Sequence, residues 1–131
     1  MPSYSFAYKA LTLVGIRDAN EIASERVVLR VVKPANLIEY LILNAGSRKP
    51  DAIRDLNQHV YWFPKFDVKE GDFVRLYTRS GRDLTRDGKY GDDKARYHDF
   101  FWGKDEPVWR GTSNAVVLVE LAEWKFSRLD D

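Results

Sequence analysis

The chain contains no cysteine. That excludes thiolate catalysis, disulfide frameworks and every zinc or iron–sulfur site built on Cys. With only two histidines, His59 and His98, a metal site needs a further ligand such as Asp55 or Asp99 supplied by the fold. Charge of one sign is lacking too: 21 basic residues against 20 acidic ones leave +1, so attraction to nucleic acid or an anionic membrane must come from a local patch. No stretch reaches the ~20 apolar residues of a membrane helix. The opening "MPSYSFAYKALTLVG" has neither a basic n-region nor a small-residue cleavage pattern. The expectation is a soluble, cytoplasmic protein without membrane partners, repeats or low-complexity tracts.

What the chain does have is apolar and aromatic content spread through 131 residues, enough for one domain over residues 1–131 with a core of its own. In "ERVVLRVV", Val27, Leu29 and Val31 alternate with Arg26 and Arg30, the period of a half-buried strand. "NLIEYLILNAG" puts Ile38, Tyr40 and Ile42 on one face and stops at Asn44 and Gly46. "LTLVGI" reads as a strand. "HVYWFP" reads as another, stopped by Pro64, and a Glu-Gly-Asp turn with Gly71 at a positive φ precedes the strand "DFVRLYT". "YHDFFWG" and "NAVVLVELAEWKF" close the series. Pro50 followed by Ile53, Leu56 and Val60 at helical spacing predicts at most one short helix, near residues 50–58.

About seven to nine short strands with one short helix at most predict an all-β fold, an antiparallel sandwich of immunoglobulin-like form. The rings of Trp62, Phe63, Tyr77, Phe101, Trp102, Trp109 and Trp124 fall on strands or strand ends, so they are expected to fill the core between two sheets.

Two stretches carry a family likeness: "VYWFPKFDVKEGDFVRLYT" and "WGKDEPVWRGTSNAVVLVELAEW". In order and spacing they resemble the lamin-tail domain, the immunoglobulin-like module of intermediate-filament tails that also occurs in bacterial proteins. "ERVVLRVVKP" and "YLILNAG" correspond to its earlier strands, so the likeness covers roughly residues 25–126. It departs from the pattern in having Glu-Gly where Pro-Gly is common and in lacking Gly-Asp at the closing turn. The resemblance implies a non-catalytic interaction module.

The residues themselves offer little for catalysis. Ser113 in "GTSNA" is not a nucleophile elbow. The pairs Asp92/Asp93 and Asp105/Glu106 sit in polar segments, whereas general acid–base work usually needs burial or a coupled partner. "DLTRDGKYGDDK" has Asp83, Asp87 and Gly88 where a calcium loop needs them, but Lys94 takes the place of the closing Glu. No cofactor, metal or catalytic residue is assigned.

The segment Thr78–Arg96 is a long polar insertion, read as a loop that holds at most a small hairpin. Within it Arg79, Arg82, Arg86, Lys89, Lys94 and Arg96 outnumber Asp83, Asp87, Asp92 and Asp93, with Tyr90 and Tyr97 interleaved. The sequence therefore predicts an interaction module that takes a protein partner through a sheet edge or through Arg79, Arg82, Arg86, Lys89, Tyr90, Lys94 and Arg96. The alternatives are nucleic-acid binding by the same cations and tyrosines, or a small metal-dependent enzyme or calcium-binding domain.

Overall fold

In the computed structural model, residues 9–45, 59–110 and 115–129 are described. They form ten strands: β1 (Leu11–Arg17), β2 (Arg26–Val31), β3 (Ala35–Asn36), β4 (Tyr40–Ala45), β5 (His59–Trp62), β6 (Asp67–Val68), β7 (Phe73–Tyr77), β8 (Leu84–Tyr90), β9 (Asp93–Phe101) and β10 (Ala115–Glu120). A 3-10 turn, Leu37–Glu39, lies between β3 and β4. The helix expected near 50–58 lies outside the described residues. The all-β reading holds: a five-stranded sheet in the order β1-β2-β7-β9-β8 packs on a three-stranded sheet β10-β4-β5, with β3 and β6 paired beside them.

The core forms where period-two patterns meet. Val27, Leu29 and Val31 of β2, Val74 and Leu76 of β7 and Phe100 of β9 point inward from the larger sheet. Tyr40 and Ile42 of β4 answer from the smaller one, with Phe63 and Trp109 between. Edge-to-face contacts of Phe63 with Tyr61 (5.0 Å) and Phe100 (5.4 Å) run through this layer, the geometry that aromatic quadrupoles favour. Gly71 has φ +90°, as the turn before β7 requires.

Four expectations need correction. Ile38 does not continue the strand: Asn36 caps the 3-10 turn by accepting the Ile38 amide at 3.1 Å, and the ladder begins at Tyr40. The closing strand ends at Glu120, so Trp124 lies beyond it. Thr78–Arg96 is mostly not a loop. Seven residues before Gly91 and nine starting at Asp93 form β8 and β9, which join the main sheet. Gly91 (φ +65°) is the first of two turn residues, where a II′ hairpin demands a positive φ. Finally, one pairing is parallel: the chain passes from β7 to the sheet edge as β8, then returns as β9 between them, so β9 runs alongside β7 in the same direction.

The aromatic assignment also splits. Trp109 is buried, and Trp102 packs on it at 6.3 Å. Trp62 and Trp124 instead form an exposed T-shaped pair at 5.8 Å. Tyr77 and Phe101, expected in the core, lie on the opposite side of the main sheet, stacked at 5.2 Å.

Candidate functional site: an arginine–aromatic sheet face

The outer face of the five-stranded sheet follows from alternation. Each residue that sends its neighbours into the core points outward itself, and the ladder register sets those residues in rows. One row is Arg26, Tyr77 and Phe101; the next is Val28, Arg75, Asp99 and Leu84; the third is Arg30, Phe73, Tyr97 and Arg86. Guanidinium groups and rings therefore sit side by side across four strands.

Their contacts are close. Arg75 lies over Tyr97 at 4.3 Å, and Arg79 over Phe101 at 4.9 Å and Tyr77 at 5.2 Å. Arg30 covers Phe73 at 5.6 Å and Tyr90 at 5.7 Å. Phe73 stacks on Tyr97 at 5.2 Å with an interplanar angle of 20°. Cation–π attraction and stacking hold these planes outside the core between the sheets, and under Arg30, Tyr90 and Tyr97 the ring of Phe73 is buried. Tyr90 folds back over Phe73 and stays 53% exposed, the most open ring of the group.

Asp99 organises the middle row. Fully buried under the arginines, it accepts two bonds from Arg75 (2.6 and 2.9 Å) and pairs with Arg86 at 3.2 Å. Burial works against the charge on Arg75, but the Asp99 hydrogen bonds and negative charge outweigh it and raise the guanidinium's pKa. At one corner Asp18 pairs with Arg26 at 2.9 Å, and that bond, helped by Ser24, lowers the Asp18 pKa. Five arginines (Arg26, Arg30, Arg75, Arg79, Arg86) are thus set against three carboxylates, Asp18, Asp99 and, opposite Tyr90 at the hairpin end, Asp93, and the face is positive.

The residues expected to bind a partner divide between two sides. Arg79, Arg86 and Tyr90 belong to this face. Lys89, Lys94 and Arg96 line a shallow depression behind the hairpin with Glu70, Asp72 and Asp87. Arg82 is exposed in the segment before β8. Arg26, Arg30, Arg75, Phe73, Tyr77 and Phe101 were missed as site residues. The signal was present in the alternation of "ERVVLRVV" and "DFVRLYT", which sends Arg26, Arg30 and Arg75 outward.

Both histidines are held by packing. His98 is buried in β9; its Nε2 lies 2.8 Å from Asp72 and its Nδ1 2.9 Å from the Thr85 hydroxyl, with Phe66 edge-on at 5.0 Å. A carboxylate only accepts, so Nε2 carries the proton, and the imidazole ties β8 to the turn before β7. His59 sits edge-on to Trp102 at 6.1 Å; burial, then the charges of Lys104 and Arg110, lower its pKa. Asp83 accepts the Phe101 amide at 3.2 Å and Asp87 pairs with Arg96 at 3.2 Å, so two of the calcium-frame carboxylates serve the hairpin. Among the described residues, no group of three or more His, Asp or Glu side chains is placed to hold a metal ion, and no helix is long and apolar enough to cross a membrane.

No protein-family model matches the chain, and neither does any curated protein.

Proposed function

We propose that this chain is a non-catalytic interaction module whose outer sheet face binds an extended polyanion, single-stranded nucleic acid above all. One observation carries the reading: guanidinium groups and rings lie side by side, in register, on one face across β2, β7, β9 and β8. Bases stack on aromatic and guanidinium planes, while arginines neutralise the phosphates between them. The face offers both at the spacing of neighbouring strands. The lamin-tail likeness and a cytoplasmic setting belong to the same reading; an all-β sandwich and a chain without cysteine support them.

A second reading, a protein partner presenting acidic side chains, is favoured by the two-bond grip of Arg75 on Asp99, since the same face takes carboxylates. Fluorescence anisotropy with a labelled oligothymidylate and, separately, with polyglutamate distinguishes the two. Nucleic-acid binding predicts affinity that falls steeply with salt, a loss of roughly tenfold in Tyr77→Leu from lost stacking, and a larger effect of Arg30→Ala than of Arg82→Ala. Preferred binding of polyglutamate, indifferent to Tyr77→Leu, favours the protein partner. Binding of neither probe at low salt overturns the proposal.

A further inference from the structure

The β8 edge has features that the face reading does not use. An open strand edge presents unpaired N–H and C=O groups, and folded proteins normally blunt it with a bulge, a proline, a short length or charged side chains. Of these β8 has only the last, in Arg86, Asp87 and Lys89. At the other end of the sheet, β1 carries a register shift between Leu13 and Gly15. By contrast β8, among the described residues, pairs on one side only. It runs seven residues with every one exposed, contains no proline and keeps continuous register with β9. Leu84 and Tyr90, 38% and 53% exposed, put apolar surface along it.

We infer that this edge is occupied by the β8 of a second copy of the chain, in antiparallel pairing about a two-fold axis through Gly88. The sequence "LTRDGKY" selects that arrangement. Two identical antiparallel strands related by an axis perpendicular to their sheet must pair residues of the same face, so the axis passes through a residue. An axis at Arg86 sets two arginines against each other, and one at Asp87 does the same with two aspartates. At Gly88 the partners become complementary: Asp87 faces Lys89 twice on one side of the sheet, and Arg86 faces Tyr90 twice on the other. Opposite charges and cation–π pairs directly across a ladder stabilise it, and like charges there destabilise it.

The charges concerned are available. Asp87 is 81% exposed, and its ion pair among the described residues is with Arg96, itself exposed, at 3.2 Å. Gly88 has a reason of its own within one chain, because a Cβ there would come 3.1 Å from the Tyr97 ring; at the axis it also leaves the crossing free of side chains. Pairing of this kind joins two five-stranded sheets into one and makes the two arginine–aromatic faces continuous. The dimer does not rest on what that face binds.

The test is a charge exchange followed by sedimentation equilibrium over a concentration series reaching the millimolar range. Wild type is expected to approach twice the monomer mass. Lys89→Asp alone sets two carboxylates against each other in both cross-strand pairs, and Asp87→Lys alone sets two ammonium groups together there. Each should weaken self-association by roughly tenfold or more. Mixing these two variants restores both opposite-charge pairs, and a heterodimer should form. Far-UV circular dichroism matching wild type shows that each variant is folded, as expected at exposed positions. A wild type that stays monomeric, single variants that associate like wild type, or a mixture that fails to associate overturns the inference.

Discussion

Glu25 and Val108 are joined across 83 residues: the Val108 amide donates 2.9 Å to a Glu25 side chain with no exposed surface. The same carboxyl group accepts from the Trp109 amide (3.3 Å), the Asn20 amide (2.8 Å) and the Thr78 hydroxyl. Four donors from three separate segments thus converge on the residue that precedes β2. This arrangement fixes the approach of the 102–110 segment and buries Trp109. A polar group so placed is stabilising only because every lone-pair direction is used.

Glu25→Ala should therefore rank among the most destabilising changes in the chain. Removing the acceptor strands buried amides and a hydroxyl, and each such group costs about 1–3 kcal/mol. A loss of roughly 3 kcal/mol or more in urea unfolding is the expected result, together with a red shift of the Trp109 emission. A loss below about 1 kcal/mol would show that water replaces the carboxyl group without cost.

Gly81 is required by shape rather than by φ. A Cβ there would lie 2.5 Å from Cδ1 of Phe101, whose ring is held against Tyr77. Gly81→Ala should push the ring off its stack and cost about 1–3 kcal/mol, the range for overpacking. Near-ultraviolet circular dichroism reads the lost stacking. An unchanged spectrum and midpoint would mean that the ring has room to turn.

Alkaline pH should expose Tyr61. Burial, with the nearby Asp83 charge, pushes its phenol up to about 12 from 10.0. The folded state thus favours the neutral ring more than the unfolded chain does. Its stabilising contribution is complete below pH 10 and is lost as pH rises toward about 12. Tyr61→Phe should flatten the alkaline limb of a stability profile, while wild type retains it. An identical alkaline limb in both proteins would assign the effect elsewhere.

The four tryptophans should divide two and two in iodide quenching. Trp62 and Trp124 are 43% and 37% exposed, whereas Trp109 is 2% exposed and Trp102 packs against it. The expected signal is a quenchable red component lost in Trp62→Phe/Trp124→Phe and a resistant blue component lost in Trp102→Phe/Trp109→Phe. Uniform quenching across the variants would contradict this placement.

Much of the architecture was legible along the chain. Period-two stretches such as Val27/Leu29/Val31 encode which face is buried, because successive side chains of a strand point to opposite sides whatever the strand pairs with. The turn at Gly71 was equally local, since only the residue's own φ is at stake. The β8–β9 hairpin is not legible as strand in the sequence, because seven exposed residues, mostly polar, carry no apolar period. Its Gly91-Asp92 turn was the local clue.

The composition and alternation of the chain by themselves determined an all-β domain, its buried valines and leucines, and the outward direction of Arg26, Arg30 and Arg75. Only the tertiary structure decided which strands are neighbours, and hence that Arg26 and Arg30 of β2 meet rings of β7 and β8, and Arg75 of β7 a ring of β9. The reason is that facing direction is a property of one strand's backbone, whereas strand order depends on how the whole chain closes its core. The parallel insertion of β9 between β7 and β8, with Phe100 and His98 packed inward, sets Tyr97, Asp99 and Phe101 beside β7 and joins Arg86 of β8 to the face that Arg26, Arg30 and Arg75 share.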